Sequence, residues 1–204
     1  MSAVPPVLPP RVFVDTGVLL HAVDDHDPAR RDRARTWLAG CWTARCGRTS
    51  VQVLSEFYAH ARRHFPTAIS AGDARALVRR YQHWKPWVVD HATIETAWAI
   101  ESRHELPYAD ALILAAAQQQ ECRFVASDRW AHGRQIESLT VVDPFASPFE
   151  ACFADAVPMV LTPMVRACSP SDGVRGRSVV AYRLGALSRR RPRDEGQRGY
   201  RQRG

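Results

Sequence analysis

The fold is decided by Arg11-Val12-Phe13-Val14-Asp15, in which three consecutive apolar residues lead directly into a carboxylate. A short run of this kind, with β-branched residues and no polar face, is typical of a strand buried in a parallel sheet. In open parallel α/β sheets, ligands bind just outside the carboxyl ends of the strands. Asp15, at the end of this predicted strand, is therefore the first candidate site residue.

Strand and helix signals alternate along the chain that follows. N-cap residues, helix-initiating prolines and apolar periodicity predict helices from Pro28 toward Leu38, from Ser50, from Ser70 to Tyr81, over 93–103 and from Pro107. Short apolar runs predict further strands at Val88–Val89, Phe124–Ala126 and Leu139–Val142. This alternation predicts a three-layer α/β fold with a central, mainly parallel sheet flanked by helices.

Length and charge suggest one folded domain with extensions at both ends. The chain has 204 residues, 46% of them hydrophobic, which suffices for one core. We expect a Pro-rich extension at 1–10, a domain at 11–145 and a basic, mostly disordered tail at 146–204. Residues 1–150 carry 17 basic and 17 acidic side chains, whereas 151–204 carry 11 Arg and 4 acids. The net charge of +7 therefore belongs to the tail, and the expected domain is not a basic nucleic-acid-binding domain by its charge.

Several classes of protein lack their signals in this sequence. No charged segment followed by an apolar one marks a secretory leader, and no apolar run approaches the roughly 18–20 residues of a membrane span, so we expect a cytoplasmic protein without a membrane segment. The five cysteines form no C-x-x-C pair, which predicts free thiols rather than a zinc site. Glycine-rich phosphate loops and the G-x-S-x-G elbow of serine hydrolases are also missing.

Three further acids join Asp15 as candidates: Glu56, Asp110 and Asp128. Each has a structural explanation, because an Asp after a strand often caps a turn and a single helical Glu is usually solvated. Asp110 is harder to explain in this way, since it lies on the most apolar helix and a buried carboxylate needs a partner. Four converging acids would repel one another unless a cation lay between them, and ligation by oxygen alone favours Mg²⁺ or Mn²⁺.

The acids lie in segments that resemble the motifs of a known family. Arg11–Leu20, Thr49–Tyr58 and Leu106–Ala115 resemble the first three acidic motifs of the PIN-domain family, Ala126–Asp128 resembles the fourth, and His132–Gly133 and Val141–Phe145 follow as in VapC-type toxins. The resemblance implies a Mg²⁺-dependent endoribonuclease, with Mn²⁺ as a possible substitute. It further implies an RNA substrate, a homodimer and an antitoxin partner.

Individual roles also follow from this resemblance. It implies that Asp15, Asp110 and Asp128 hold the metal and that Glu56 completes the acidic cluster. Two positions depart from the family pattern, because Gly17 stands where Asn or Ser is common and Arg129 where an acid is often found. An alternative interpretation is therefore a PIN-fold module with a weakened metal site that binds RNA or protein without cleavage.

Overall fold

A computed structural model describes residues 9–65 and 67–153. It contains a sheet whose strands are β1 (Val12–Val14), β2 (Gly47–Arg48), β3 (Phe124–Ala126), β4 (Gln135–Ile136) and β5 (Leu139–Val142). The helices are α1 (Thr16–His21), α2 (Pro28–Thr43), α3 (Val51–His64), α4 (Ala71–Tyr81), α5 (His91–His104) and α6 (Tyr108–Gln119), with 3₁₀ segments at Gln82–Trp84 and Phe149–Phe153. The expected α/β architecture with a mainly parallel sheet is confirmed.

The order of the strands brings the predicted site residues to one edge of the sheet. The order is β2-β1-β3-β5-β4, and only the β4–β5 pair is antiparallel. β1 and β3 are direct neighbours, with Val14 opposite Ala126. Asp15 donates its backbone N–H to the carbonyl of Ala126 at 3.1 Å, so the segments that follow the two strands begin side by side. Asp128 lies two residues beyond the end of β3.

The predicted N-caps start their helices as expected. The side chains of Asp27, Ser50 and Ser70 accept hydrogen bonds from the backbone N–H three residues on, which starts α2, α3 and α4. The helix expected over 93–103 begins earlier, at His91, because Asp90 caps it through the N–H of Thr93. α2 and α6 pack against the sheet at β2 and β5, whereas α4 packs on α3 and α5 packs on α6. The apolar α6 contributes the fully buried Ile113 and Leu114 among others.

The predicted strand at Val88–Val89 is wrong. Only Trp87 forms a bridge, with Ser50, and Val88 is 69% exposed. The backbone of Trp87 forms hydrogen bonds with Thr49 and Val51, on either side of Ser50, and the pairing ends there. Asp90 then caps α5, so the segment between Trp87 and Asp90 is too short to continue as a strand. α1, β2 and β4 were not predicted from the sequence.

The packed part of the chain continues past the expected boundary at Phe145. Trp37 on α2 donates its indole N–H to the carbonyl of Ser147 at 2.8 Å and meets the ring of Phe149 edge to face at 5.3 Å. Cys152 is buried. The folded region therefore reaches at least Phe153, while most of the predicted extension and tail, at 1–8 and 154–204, lies outside the described residues.

Two further expectations concern the cysteines and the membrane. Cys41, Cys46, Cys122 and Cys152 are free and buried, as expected, and Cys168 lies outside the described residues. Over the part of the chain that the structure describes, no helix is both long enough and apolar enough to cross a bilayer.

The contact between α2 and Phe149 leads to a prediction about the free energy of unfolding. A Cβ at Gly40 would lie 2.5 Å from the Phe149 ring, so Gly40→Ala should destabilise the protein by about 1–3 kcal/mol through overpacking. In a Phe149→Ala background the clash disappears, and the same substitution should stabilise α2 by up to about 1 kcal/mol because Ala is the better helix former. Urea unfolding of the four proteins in this double-mutant cycle measures both effects. A stabilising Gly40→Ala in the otherwise unchanged protein would show that Phe149 does not pack there.

Candidate active site

Asp15 is a fully buried carboxylate at the end of β1, and each of its oxygens has a partner. Its Oδ1 accepts from the backbone N–H of Thr16 at 2.6 Å, and its Oδ2 accepts from the hydroxyl of Ser127 at 2.7 Å. The guanidinium of Arg129 lies 3.2 Å from the same Oδ2. Burial raises the pKa of Asp15, against the opposing effects of Arg129 and Ser127. These contacts offset part of the cost of a charge without solvent.

The same guanidinium binds Asp110. Nη1 of Arg129 donates to Oδ1 of Asp110, while Nε faces Asp15, so one side chain bridges carboxylates from β1 and α6. Burial acts to lower the pKa of Arg129, but the carboxylates of Asp15, Asp110 and Glu56 outweigh it and raise that pKa. Arg129 is therefore a permanent cation among three of the four predicted site acids.

Glu56 is held in place from two elements. The hydroxyl of Thr16, next to Asp15, donates to its Oε2 at 2.7 Å, and Gln52 donates to its Oε1 at 2.8 Å. Gln52 also donates to the carbonyl of Ala109 at 3.1 Å, beside Asp110. Glu56 is thus oriented toward the start of α6 and the end of β1 rather than being a freely solvated helix residue.

Asp128 has its own pair of basic partners. Its Oδ2 lies 3.1 Å from Nε2 of His21 and 2.6 Å from Nη2 of Arg30. The ring of Phe145 supports both, because the guanidinium carbon of Arg30 lies 4.1 Å from the ring centroid and His21 meets it edge to face at 4.9 Å. The hydrogen bond with His21 is the main cause that lowers the pKa of Asp128, and the charge of Arg30 adds to it.

Gly17 explains how Asp128 reaches the first aspartate. A Cβ at Gly17 would lie 2.9 Å from Oδ1 of Asp128, so the carboxylate rests against the first turn of α1, two residues from Asp15. A side chain such as Asn or Ser would have to displace it. The absence of a side chain at Gly17 therefore leaves room for the carboxylate of Asp128.

Three of the four predicted site residues share one basic partner, and the fourth has partners of its own. Asp15, Asp110 and Glu56 surround Arg129, and Asp128 lies against Gly17 with Arg30 and His21 as its partners. Asp15 and Asp128 follow the carboxyl ends of the neighbouring parallel strands β1 and β3. Open α/β sheets bind their ligands at such strand ends.

The acids of this site have the donor chemistry of a divalent metal site. Carboxylate oxygens are the donors that Mg²⁺ and Mn²⁺ prefer, so the residue types fit such an ion. Within residues 9–65 and 67–153, however, no three His, Cys, Asp or Glu side chains stand as ligands around a common point. The guanidinium of Arg129 contacts both Asp15 and Asp110 and shows that positive charge is accommodated between them.

The supporting residues of this site were not predicted from the sequence. Ser127 entered only as part of the fourth motif, and Arg129 only as a replacement for an acid. The structure adds a set of polar contacts from several elements: Thr16, His21, Arg30, Gln52, Ser127 and Arg129. Ser127 and Arg129 follow β3 directly and could have been found from that position. Arg30 and His21 meet Asp128 across 98 and 107 residues, and no local pattern signals those pairs.

Comparison with known families agrees with this geometry. A family model described as the PIN domain matches residues 12–131, more than half of the chain. The chain belongs to the PIN-domain family. The matched segment of this PIN domain begins with β1 and ends just after Arg129, so it contains all four acids. Proteins of this family are nucleases.

Among solved structures, the PIN domain is similar to VapC20 of Mycobacterium tuberculosis, which is described as a toxin that cleaves the sarcin-ricin loop. The two share 24% identity with a TM-score of 0.44, over 56% of this chain and 86% of the other. A comparison with curated proteins finds no match.

The buried pair between Ser127 and Asp15 predicts the effect of Ser127→Ala. The substitution removes a donor from a charged acceptor without solvent, so stability should fall by about 1.5–3 kcal/mol. It should also raise the pKa of Asp15 further, because the hydroxyl lowers it. Ser138→Ala, in an exposed turn, is the matched control and should change stability by less than about 0.5 kcal/mol. Denaturant unfolding at neutral pH measures the difference, and equal stability of the two variants would contradict this role of Ser127.

Proposed function

We propose that this PIN-domain protein is a Mg²⁺-dependent endoribonuclease and the toxin of a VapC-type toxin–antitoxin pair that acts in the cytoplasm. The observation that carries the proposal is the convergence of Asp15, Glu56, Asp110 and Asp128 outside the ends of β1 and β3. A cluster of fixed carboxylates in a nuclease family is suited to phosphodiester hydrolysis.

Each acid has a role in this proposal. Asp15, Asp110 and Asp128 would hold Mg²⁺, or Mn²⁺ in its place, which would supply positive charge to the phosphate and make water a better nucleophile. Glu56, fixed through both oxygens by Thr16 and Gln52, would orient the attacking water. Ser127 keeps Asp15 in one rotamer while substrate binds.

Two cations at the rim can meet the substrate. The side chains of Arg30 and Arg129 are 40% and 37% exposed, so both reach solvent while they contact the acids. A guanidinium can bind phosphate oxygens in a bidentate manner, which suits a polyanionic substrate. RNA as the substrate, a homodimer and an antitoxin that blocks the site are proposed from the resemblance to VapC-type toxins.

A second candidate function is a PIN-fold module that binds RNA or protein without cleavage. It is favoured by the ion pairs of Arg129 with Asp15 and Asp110, and of Arg30 with Asp128, which already neutralise part of the acidic cluster. If these arginines stayed paired with the acids, the site would bind a polyanion through their guanidiniums but would not bind the metal ion needed for hydrolysis.

Incubation with bulk cellular RNA distinguishes the two functions. The purified full chain should cleave RNA with Mg²⁺ or Mn²⁺ and stop when a chelator is added. Asp110→Asn should reduce the rate at least about 100-fold, because a neutral amide is a poor ligand for a hard cation. Cleavage is followed on denaturing gels.

The control for this experiment is Asp32→Asn, which neutralises an acid whose side chain is 71% exposed on α2. It should retain the rate of the unaltered chain. Cleavage that survives chelation, or that Asp110→Asn leaves intact, would reject the metal mechanism. Tight RNA binding without cleavage at any metal concentration would favour the binding module.

A further inference from the structure

Arg129 occupies the space between two carboxylates that the proposed function assigns to the metal. Its Nε lies 3.2 Å from Oδ2 of Asp15, and its Nη1 donates to Oδ1 of Asp110. Its own backbone N–H donates to the hydroxyl of Ser127 at 3.1 Å, and that hydroxyl donates to Asp15. The side chain is therefore anchored at its base and directed into the acidic cluster.

The oxygens involved leave little room for a second cation. Oδ2 of Asp15 accepts from Ser127 and lies 3.2 Å from Nε of Arg129, and Oδ1 accepts from Thr16. A divalent ion at Oδ2 would therefore share this oxygen with the Ser127 hydroxyl and meet the guanidinium beside it. A divalent ion near the same oxygens would also be repelled by the positive charge of Arg129.

Arg129 is the most exposed member of this group of three side chains. Its side chain is 37% exposed, so its outer end borders solvent, whereas Asp15 is fully buried and Asp110 is 15% exposed. The carboxylates belong to β1 and α6 and are fixed by their elements, so the mobile partner of the pair is the long arginine side chain.

We infer that Arg129 is a positioning residue that holds Asp15 and Asp110 together in the metal-free protein and competes with the divalent ion for them, so that it sets the metal affinity of the site. This inference rests on the proposed function, because the metal is the ion proposed there. Without Arg129, the two carboxylates repel each other and attract a dication more strongly. With it, metal binding must first displace the guanidinium.

The test is a titration of the chelator-treated full chain with Mn²⁺, in which the electron paramagnetic resonance signal of free Mn²⁺ gives the bound fraction. Arg129→Gln should bind Mn²⁺ at least tenfold more tightly than the unaltered chain, which corresponds to about 1.4 kcal/mol. Arg129→Lys should give an intermediate Kd, because one ammonium cannot span both carboxylates in the manner of a guanidinium. The rise in Tm on adding Mn²⁺ should be larger for Arg129→Gln than for the unaltered chain.

Two controls show that the change belongs to this site. Arg134→Gln removes a positive charge five residues along the chain, from an exposed side chain with no ion pair within residues 9–65 and 67–153, and should leave the Kd unchanged. Adding Asp110→Asn to Arg129→Gln should remove the tight site. Circular dichroism confirms that each variant is folded, and Arg129→Lys carries the test where Arg129→Gln does not fold.

The outcomes separate this inference from the proposed function. Equal or weaker Mn²⁺ binding by folded Arg129→Gln would overturn the inference and leave the ribonuclease proposal intact. Tighter binding without RNA cleavage would support the inference and reject the ribonuclease. Failure of both the unaltered chain and Arg129→Gln to bind Mn²⁺ at millimolar concentration would reject both.

Discussion

The buried charge of Asp15 is the constraint on which the rest of the site depends. A carboxylate without solvent, placed at the end of a strand, must be matched by donors and by positive charge. Thr16 and Ser127 supply the hydrogen bonds, and Arg129 supplies the charge. Ser127 and Arg129 follow β3, so the parallel pairing of β1 with β3 places both residues next to the buried carboxylate of Asp15.

Much of the fold follows from local sequence patterns. The strand before Asp15, the caps at Asp27 and Ser70 and the helix from Ser50 were predicted, because short apolar runs, N-caps and helical periodicity act over a few residues. β2 and β4 have two residues each, too few for any periodicity, and their pairing depends on neighbours elsewhere in the chain. The apolar pair at Val88–Val89 had the composition of a strand but lacked a partner beyond Trp87.

The candidate site also contains residues that the sequence predicted and residues that it did not. The four acids were selected because strand ends and an acid on an apolar helix are visible in the sequence, and their role as a metal site stays a prediction. Their basic partners were not found, since Arg30 lies 98 residues from Asp128 and Arg129 lies 19 from Asp110. Sequence reasoning located the negative charge of this site but not the positive charge that balances it.

That balance bears on how the site works. The acidic cluster has four carboxylates, and two guanidiniums contact it, so two negative charges remain when His21 is neutral. One divalent ion would match this remainder if the arginines stayed near the rim. A guanidinium displaced from Asp15 would stay close to the site, because the backbone N–H of Arg129 donates to Ser127. Under the proposed function, the side chain that stabilises the metal-free site would then be available to the phosphate groups of the substrate once the ion is bound.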